Sequence, residues 1–88
     1  MNERELERVL KALANRRRVA IVRFLKKRKE SSVGDIAGAI KLSFKSTSRH
    51  LALLAAADIV DREQRSLSVY YKIAAELPPA ARSVITIL

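Results

Sequence analysis

The sequence predicts a mostly α-helical fold with a two-stranded β-hairpin, in the order ααααββα, and three observations carry that expectation. Apolar residues recur at helical spacing through the first half of the chain. A helix with a serine at its start, Ser43, runs directly into two short strand-like segments. Pro78 and Pro79 then break the chain and suit the first turn of a last apolar helix. With 88 residues there is room for one domain, 1–88, and no internal repeat, linker or low-complexity stretch divides it.

The elements follow in order. Leu6, Val9, Leu10 and Leu13 share one side of a first amphipathic helix, rich in Glu and Arg, that ends near Asn15. A second helix is predicted from about Arg17 to Lys27, with a buried stripe of Ile21, Phe24 and Leu25 flanked by Val22. The Lys26 to Lys29 run sits at its C-terminal end, where cations complement the helix dipole. Ser32 with Asp35 three residues on resembles a capping box and opens a short third helix through Ile36, Ala37 and Ile40. Counting from Ser43 places Thr47, Leu51 and Leu54 on one stripe of the fourth helix, and Lys45, Ser48, Arg49 and Ala52 on the opposite one. Ile59 to Gln64 and the alternating Leu67, Val69, Tyr71 and Ile73 read as strands joined through Arg65-Ser66. The last helix carries a broad apolar face of Ala81, Val84, Ile85 and Leu88. Two short helices followed by such a hairpin make a winged helix-turn-helix.

Composition narrows the partners. Eighteen Lys and Arg against nine Asp and Glu give +9, which favours polyanions through long-range attraction. The 49% hydrophobic content argues for a folded domain rather than a disordered basic tail. No apolar run approaches the length of a spanning helix or a signal-peptide core, so no membrane role is expected. A cytoplasmic protein, nucleoid-associated when bound to DNA, is the reading that results. A chain this short buries only about 60 to 65% of its unfolded surface, so dimerisation would help it.

Double-stranded DNA is the expected partner, and the residues that would meet it can be named. Lys45, Ser48 and Arg49 are the candidates for base-edge contacts, because the first turns of such a helix reach deepest into the major groove. Ser46 is placed for a phosphate. Phe44 could contact a thymine methyl or staple the helix start to the core. His50, the only histidine, is a structural or phosphate-contacting residue rather than a metal site, since zinc needs several converging ligands. Arg62, Gln64 and Arg65 on the hairpin fit contacts to the minor groove or flanking phosphates, or else keep an edge soluble. The eight basic residues between Arg16 and Lys29 have no acid among them, which suggests that some touch phosphate without saying which. Asp58, Asp61 and Glu63 form no catalytic carboxylate pair, and no Gly-rich loop or nucleophile triad is present. No enzyme activity and no cofactor are expected.

Several of these segments resemble the ArsR/SmtB family of small winged-helix transcriptional regulators. The family's Leu-Ser, four residues, then Ser-x-His-Leu is met by Leu42, Ser43, Ser48, His50 and Leu51. Ala57-Asp58-Ile59-Val60 looks like its Ala-Gly-Leu-Val exit from the recognition helix, and Val69-Tyr70-Tyr71-Lys72-Ile73 like the closing wing strand. Leu10 to Asn15, Arg18-Val19 and Ile21-Val22 resemble its opening helices, so the likeness runs over roughly residues 6 to 73.

The resemblance implies a homodimeric repressor on a two-fold, inverted-repeat operator, its interface formed by Leu6, Leu10 and Leu13 with Val84, Ile85 and Leu88. Many relatives sense metal through two Cys in a Glu-Leu-Cys-Val-Cys-Asp run. Here Glu30-Ser31-Ser32-Val33-Gly34-Asp35 stands in that place, and the chain has no Cys at all. The last helix also lacks the Asp and His residues of the family's other common metal site. Metal sensing through either site is therefore not expected, and any effector ligand is unknown. Two other classes remain: a nonspecific architectural nucleic-acid binder, and a winged-helix protein-interaction module.

Overall fold

The computed structural model describes residues 1–88. Five helices and three strands follow in the order α1 (Glu3–Leu13), α2 (Arg16–Lys26), β1 (Ser31–Ser32), α3 (Val33–Ile40), α4 (Phe44–Ala56), β2 (Val60–Arg65), β3 (Ser68–Ile73) and α5 (Pro79–Ile87). The predicted helix order holds, and the hairpin gains a third strand. In the antiparallel sheet β1-β3-β2, Ser31 lies opposite Tyr71 and Ser32 opposite Tyr70. Two serines are too short a run for any periodicity to announce, and only the free edge of β3 makes them a strand.

Side-chain caps start four of the five helices. Asn2 Oδ1 accepts from the Glu5 N–H at 2.8 Å. Asn15 Oδ1 accepts from both Arg17 and Arg18 N–H groups. Asn15 therefore opens α2 rather than closing α1, as its high preference for the N-cap position favours. Ser32 Oγ accepts from the Asp35 N–H and Ser43 Oγ from the Ser46 N–H, each at 3.1 Å. In α5 Pro79 fills the first turn, where a missing N–H costs nothing.

The core is one cluster. Val9 and Leu13 of α1, Ile21, Val22 and Leu25 of α2, Ile36 of α3 and Leu51 and Leu54 of α4 meet Ile59, Val60 and Tyr71 from the sheet side. Ala81 and Ile85 of α5 close it. In α2 the deeply buried positions are Ile21, Val22 and Leu25, while Phe24 lies at the margin with the Arg28 guanidinium 4.7 Å from its ring centroid.

The hairpin turn differs by one residue from its predicted place. Arg65 pairs with Ser68, so the two-residue loop is Ser66-Leu67, with Ser66 in the left-handed region at φ 55°. Leu67 stands at the tip, 98% exposed, instead of joining the stripe of Val69, Tyr71 and Ile73. A primed turn needs positive φ at its first central residue, and neither serine nor arginine is a strong signal for that position.

Candidate nucleic-acid interface

Helices α3 and α4 pack together across a turn of three residues. Lys41, at φ 57°, ends α3 in the left-handed conformation, and the Leu42 N–H reaches back to the Ala37 carbonyl at 3.0 Å. Ser43 then starts α4 at once. Thr47, Leu51 and Leu54 are fully buried, and the Thr47 hydroxyl is satisfied by donating to the Ser43 carbonyl at 2.7 Å. The opposite side of α4 presents Lys45, Arg49 and Ala52 to solvent with Ser48 half-buried among them. Neither Lys45 nor Arg49 is paired with an acid. Phe44 is 63% exposed, so it does not staple the helix start to the core.

Behind that face, Arg18 ties α4 to the rest of the molecule. Its Nε donates to the Ala12 carbonyl at 2.6 Å and its Nη2 to the Lys11 carbonyl at 3.1 Å, both at the C-terminal end of α1. Its Nη1 lies 3.2 Å from His50 Nδ1. His50 is half-buried, and burial, followed by the Arg18, Arg17 and Arg49 charges, holds its imidazole below the ordinary histidine range. Both causes favour the neutral form of the ring. Sequence reasoning did not single out Arg18 from the basic cluster, because its partner lies 32 residues away on another helix.

The wing splits its three candidate residues between two sides. Cross-strand pairing sets Arg62 with Tyr71 and Gln64 with Val69 on one face, and Arg65 with Ser68, beside Glu63 and Tyr70, on the other. Arg62 and Gln64 are exposed and make no side-chain hydrogen bond or ion pair. Arg65 is engaged: it grips Glu30 with two bonds of 2.6 Å, Glu63 with a third, and stacks on Tyr70. The hydrogen bonds raise the Arg65 pKa, and the same contacts hold the Glu30 and Glu63 carboxyls below the usual range. These contacts tie the wing to the segment before β1.

The basic cluster is likewise divided. Arg16 and Arg17 stand at the start of α2, where the Arg17 charge is felt by His50. Lys26 is about 15 Å along the same helix and donates from Nζ to the Thr86 carbonyl near the end of α5. The residues named for a dimer interface also separate. Leu13 and Ile85 belong to the monomer's own core, and Val84 and Leu88 pack against it. Leu6 and Leu10 remain 39% and 49% exposed along one side of α1, and α1 packs beside α5.

The family model for the bacterial regulatory protein, arsR family, matches residues 15–62, from the cap of α2 into β2. Among solved structures, HlyU from Vibrio cholerae superposes with a TM-score of 0.82 at 28% identity, covering 99% of this chain and 92% of that one. The transcriptional repressor PagR of Bacillus anthracis gives 0.78 at 27% identity, over 96% and 92% of the two chains. A homodimeric winged helix-turn-helix DNA-binding domain of a possible ArsR-family regulator from Mycobacterium bovis gives 0.81 at 28% identity, over 96% and 74%. No curated protein sequence matches. With a matched segment covering more than half of its length and the whole winged helix-turn-helix in place, this chain belongs to the arsR family of bacterial regulatory proteins.

Proposed function

We propose that the protein is a homodimeric, sequence-specific DNA-binding repressor that occupies an inverted-repeat operator and does not sense metal through cysteine. The observation that carries this reading is the exposed, unpaired face of α4, with Lys45, Ser48 and Arg49 held rigidly over a fully buried Thr47, Leu51 and Leu54. Arg is well suited to guanine O6 and N7 there, and the wing's Arg62 and Gln64 extend the surface toward an adjacent groove. Phosphates would be met by Ser46, by the start of α2 at Arg16 and Arg17, and by His50.

The homodimer is supported by Leu6 and Leu10, which leave an apolar strip on α1 flanked by Glu3, Glu7 and Lys11, and by the homodimeric Mycobacterium bovis relative. Repression is supported by the likeness to PagR, which is a transcriptional repressor. Selection of bound sequences from a random duplex pool tests the proposal. A two-fold dimer should enrich an inverted repeat with half-sites about 10 to 10.5 base pairs apart, centre to centre. Enrichment of no motif would favour the architectural reading, in which the +9 charge alone attracts DNA.

A further inference from the structure

Arginine can only donate, so the 3.2 Å approach of Arg18 Nη1 makes His50 Nδ1 the acceptor. In the neutral ring the proton must then sit on Nε2. No buried side-chain nitrogen or oxygen in the protein lacks a hydrogen-bond partner, and Nε2 makes no bond within the chain, so Nε2 reaches solvent. The guanidinium itself has little freedom. Its plane is fixed by Nε on the Ala12 carbonyl and Nη2 on the Lys11 carbonyl, two groups at a helix end that have no intrahelical donor.

We propose that Arg18 is a positioning residue for DNA binding: anchored on the end of α1, it fixes His50 as the Nε2–H tautomer and thereby presents that N–H to a backbone phosphate. This rests on the reading of α4 as the helix that enters the groove. His50 follows Arg49 directly and feels the charges of Arg17 and Arg18 from α2, so the neighbouring charges favour an anion at Nε2. The contact would fix the depth and register of α4 without reading a base.

Because His50 is the only histidine, ring ¹⁵N–¹H correlation spectra report its tautomer without ambiguity and without DNA. The wild-type protein at neutral pH should show Nε2–H alone, and Arg18→Met should release a mixture with Nδ1–H. A wild-type Nδ1–H ring, or a spectrum unchanged by Arg18→Met, would overturn the assignment. Binding to the selected operator supplies the second readout. His50→Asn keeps an acceptor near Nδ1 but has no donor at Nε2, so it should fold normally and bind about tenfold more weakly. His50→Gln carries an amide donor near Nε2 and should recover most of that loss.

Arg18→Met should cost only the fraction of rings that it releases to Nδ1–H, about twofold for an even mixture, and combining it with His50→Asn should add little, since both act through one contact. Losses that multiply would show that Arg18 and His50 act separately and would overturn the positioning role. If Arg18→Met does not fold, the wild-type tautomer and the Asn and Gln pair still decide. Failure of the wild-type protein to bind any duplex would instead refute the DNA reading, leaving the tautomer result to stand by itself.

Discussion

Lys45 and Arg49 show how a side chain without an internal partner differs from one that has several. Both are exposed on α4 and free of acids, so Lys45→Ala and Arg49→Ala should each weaken operator binding by about 1 to 3 kcal/mol with an unchanged fold. Titration of operator and random duplex in parallel checks this: equal losses on both would mean that they touch only phosphate. Arg65 is the contrast, since its charge is already answered by Glu30 and Glu63. His50 adds a pH dependence. Its folded pKa lies below about 6.5, the value expected in the unfolded chain, so between the two the unfolded state binds more protons. The contribution is present above about pH 6.5 and is lost as pH falls through the folded value. Melting temperature should therefore drop between about pH 7.5 and about pH 5.5, and the drop should shrink in His50→Asn. The Glu30 and Glu63 carboxylates shift the same way but act only lower, around and below pH 4.5. An identical drop in the variant would remove His50 from the account.

At the scale of elements, the sequence announced what rests on local rules. Ser32 and Ser43 mark the helices they start, and the i, i+4, i+7 spacing of Thr47, Leu51 and Leu54 gives the buried face of α4 without any tertiary knowledge. What escaped depends on contacts distant in sequence or on rare backbone conformations. β1 exists only because β3 offers an edge, the loop tip rests on a positive φ at Ser66, and the hold of Arg18 on His50 joins α2 to α4. The shifted turn brought Arg65 into β2, and alternation along the strand then sets it on the face opposite Arg62 and Gln64. The exit of α4 permits a test of the same kind. Asp58 is held at φ 61° while the Ile59 N–H bonds back to the Leu54 carbonyl, a position where glycine carries no steric penalty. Urea denaturation should find Asp58→Gly more stable by about 0.5 kcal/mol and Asp58→Val less stable by about 1 kcal/mol or more. A valine variant as stable as the parent would mean that this turn is not under conformational constraint.

For the whole molecule, the apolar stripe of α1 is wider than the monomer needs. Val9 and Leu13 enter the core while Leu6 and Leu10 stay outside it, and Ile87 near the end of α5 is 81% exposed. Sequence periodicity alone could not divide these residues, because core and interface use the same residue types at the same spacing. Leu6→Glu combined with Leu10→Glu touches only the outer set, so sedimentation should show folded monomers where the parent protein is dimeric at tens of micromolar. A dimer that survives both changes would place the interface elsewhere. Loss of the dimer should also lower operator affinity, since one half-site then holds the protein alone.

In the proposed reading, charge and shape make distinct contributions to one binding event: the +9 net charge would draw any duplex, whereas the α4 face and the wing would choose among them. The most direct measurement is therefore the affinity of the wild-type protein for its selected operator and for a shuffled duplex of equal length, at a single salt concentration. A preference of about 10³-fold or more for the operator is expected, with both affinities falling steeply as salt is raised. Equal affinity for the two duplexes, or binding that ignores salt, would contradict it.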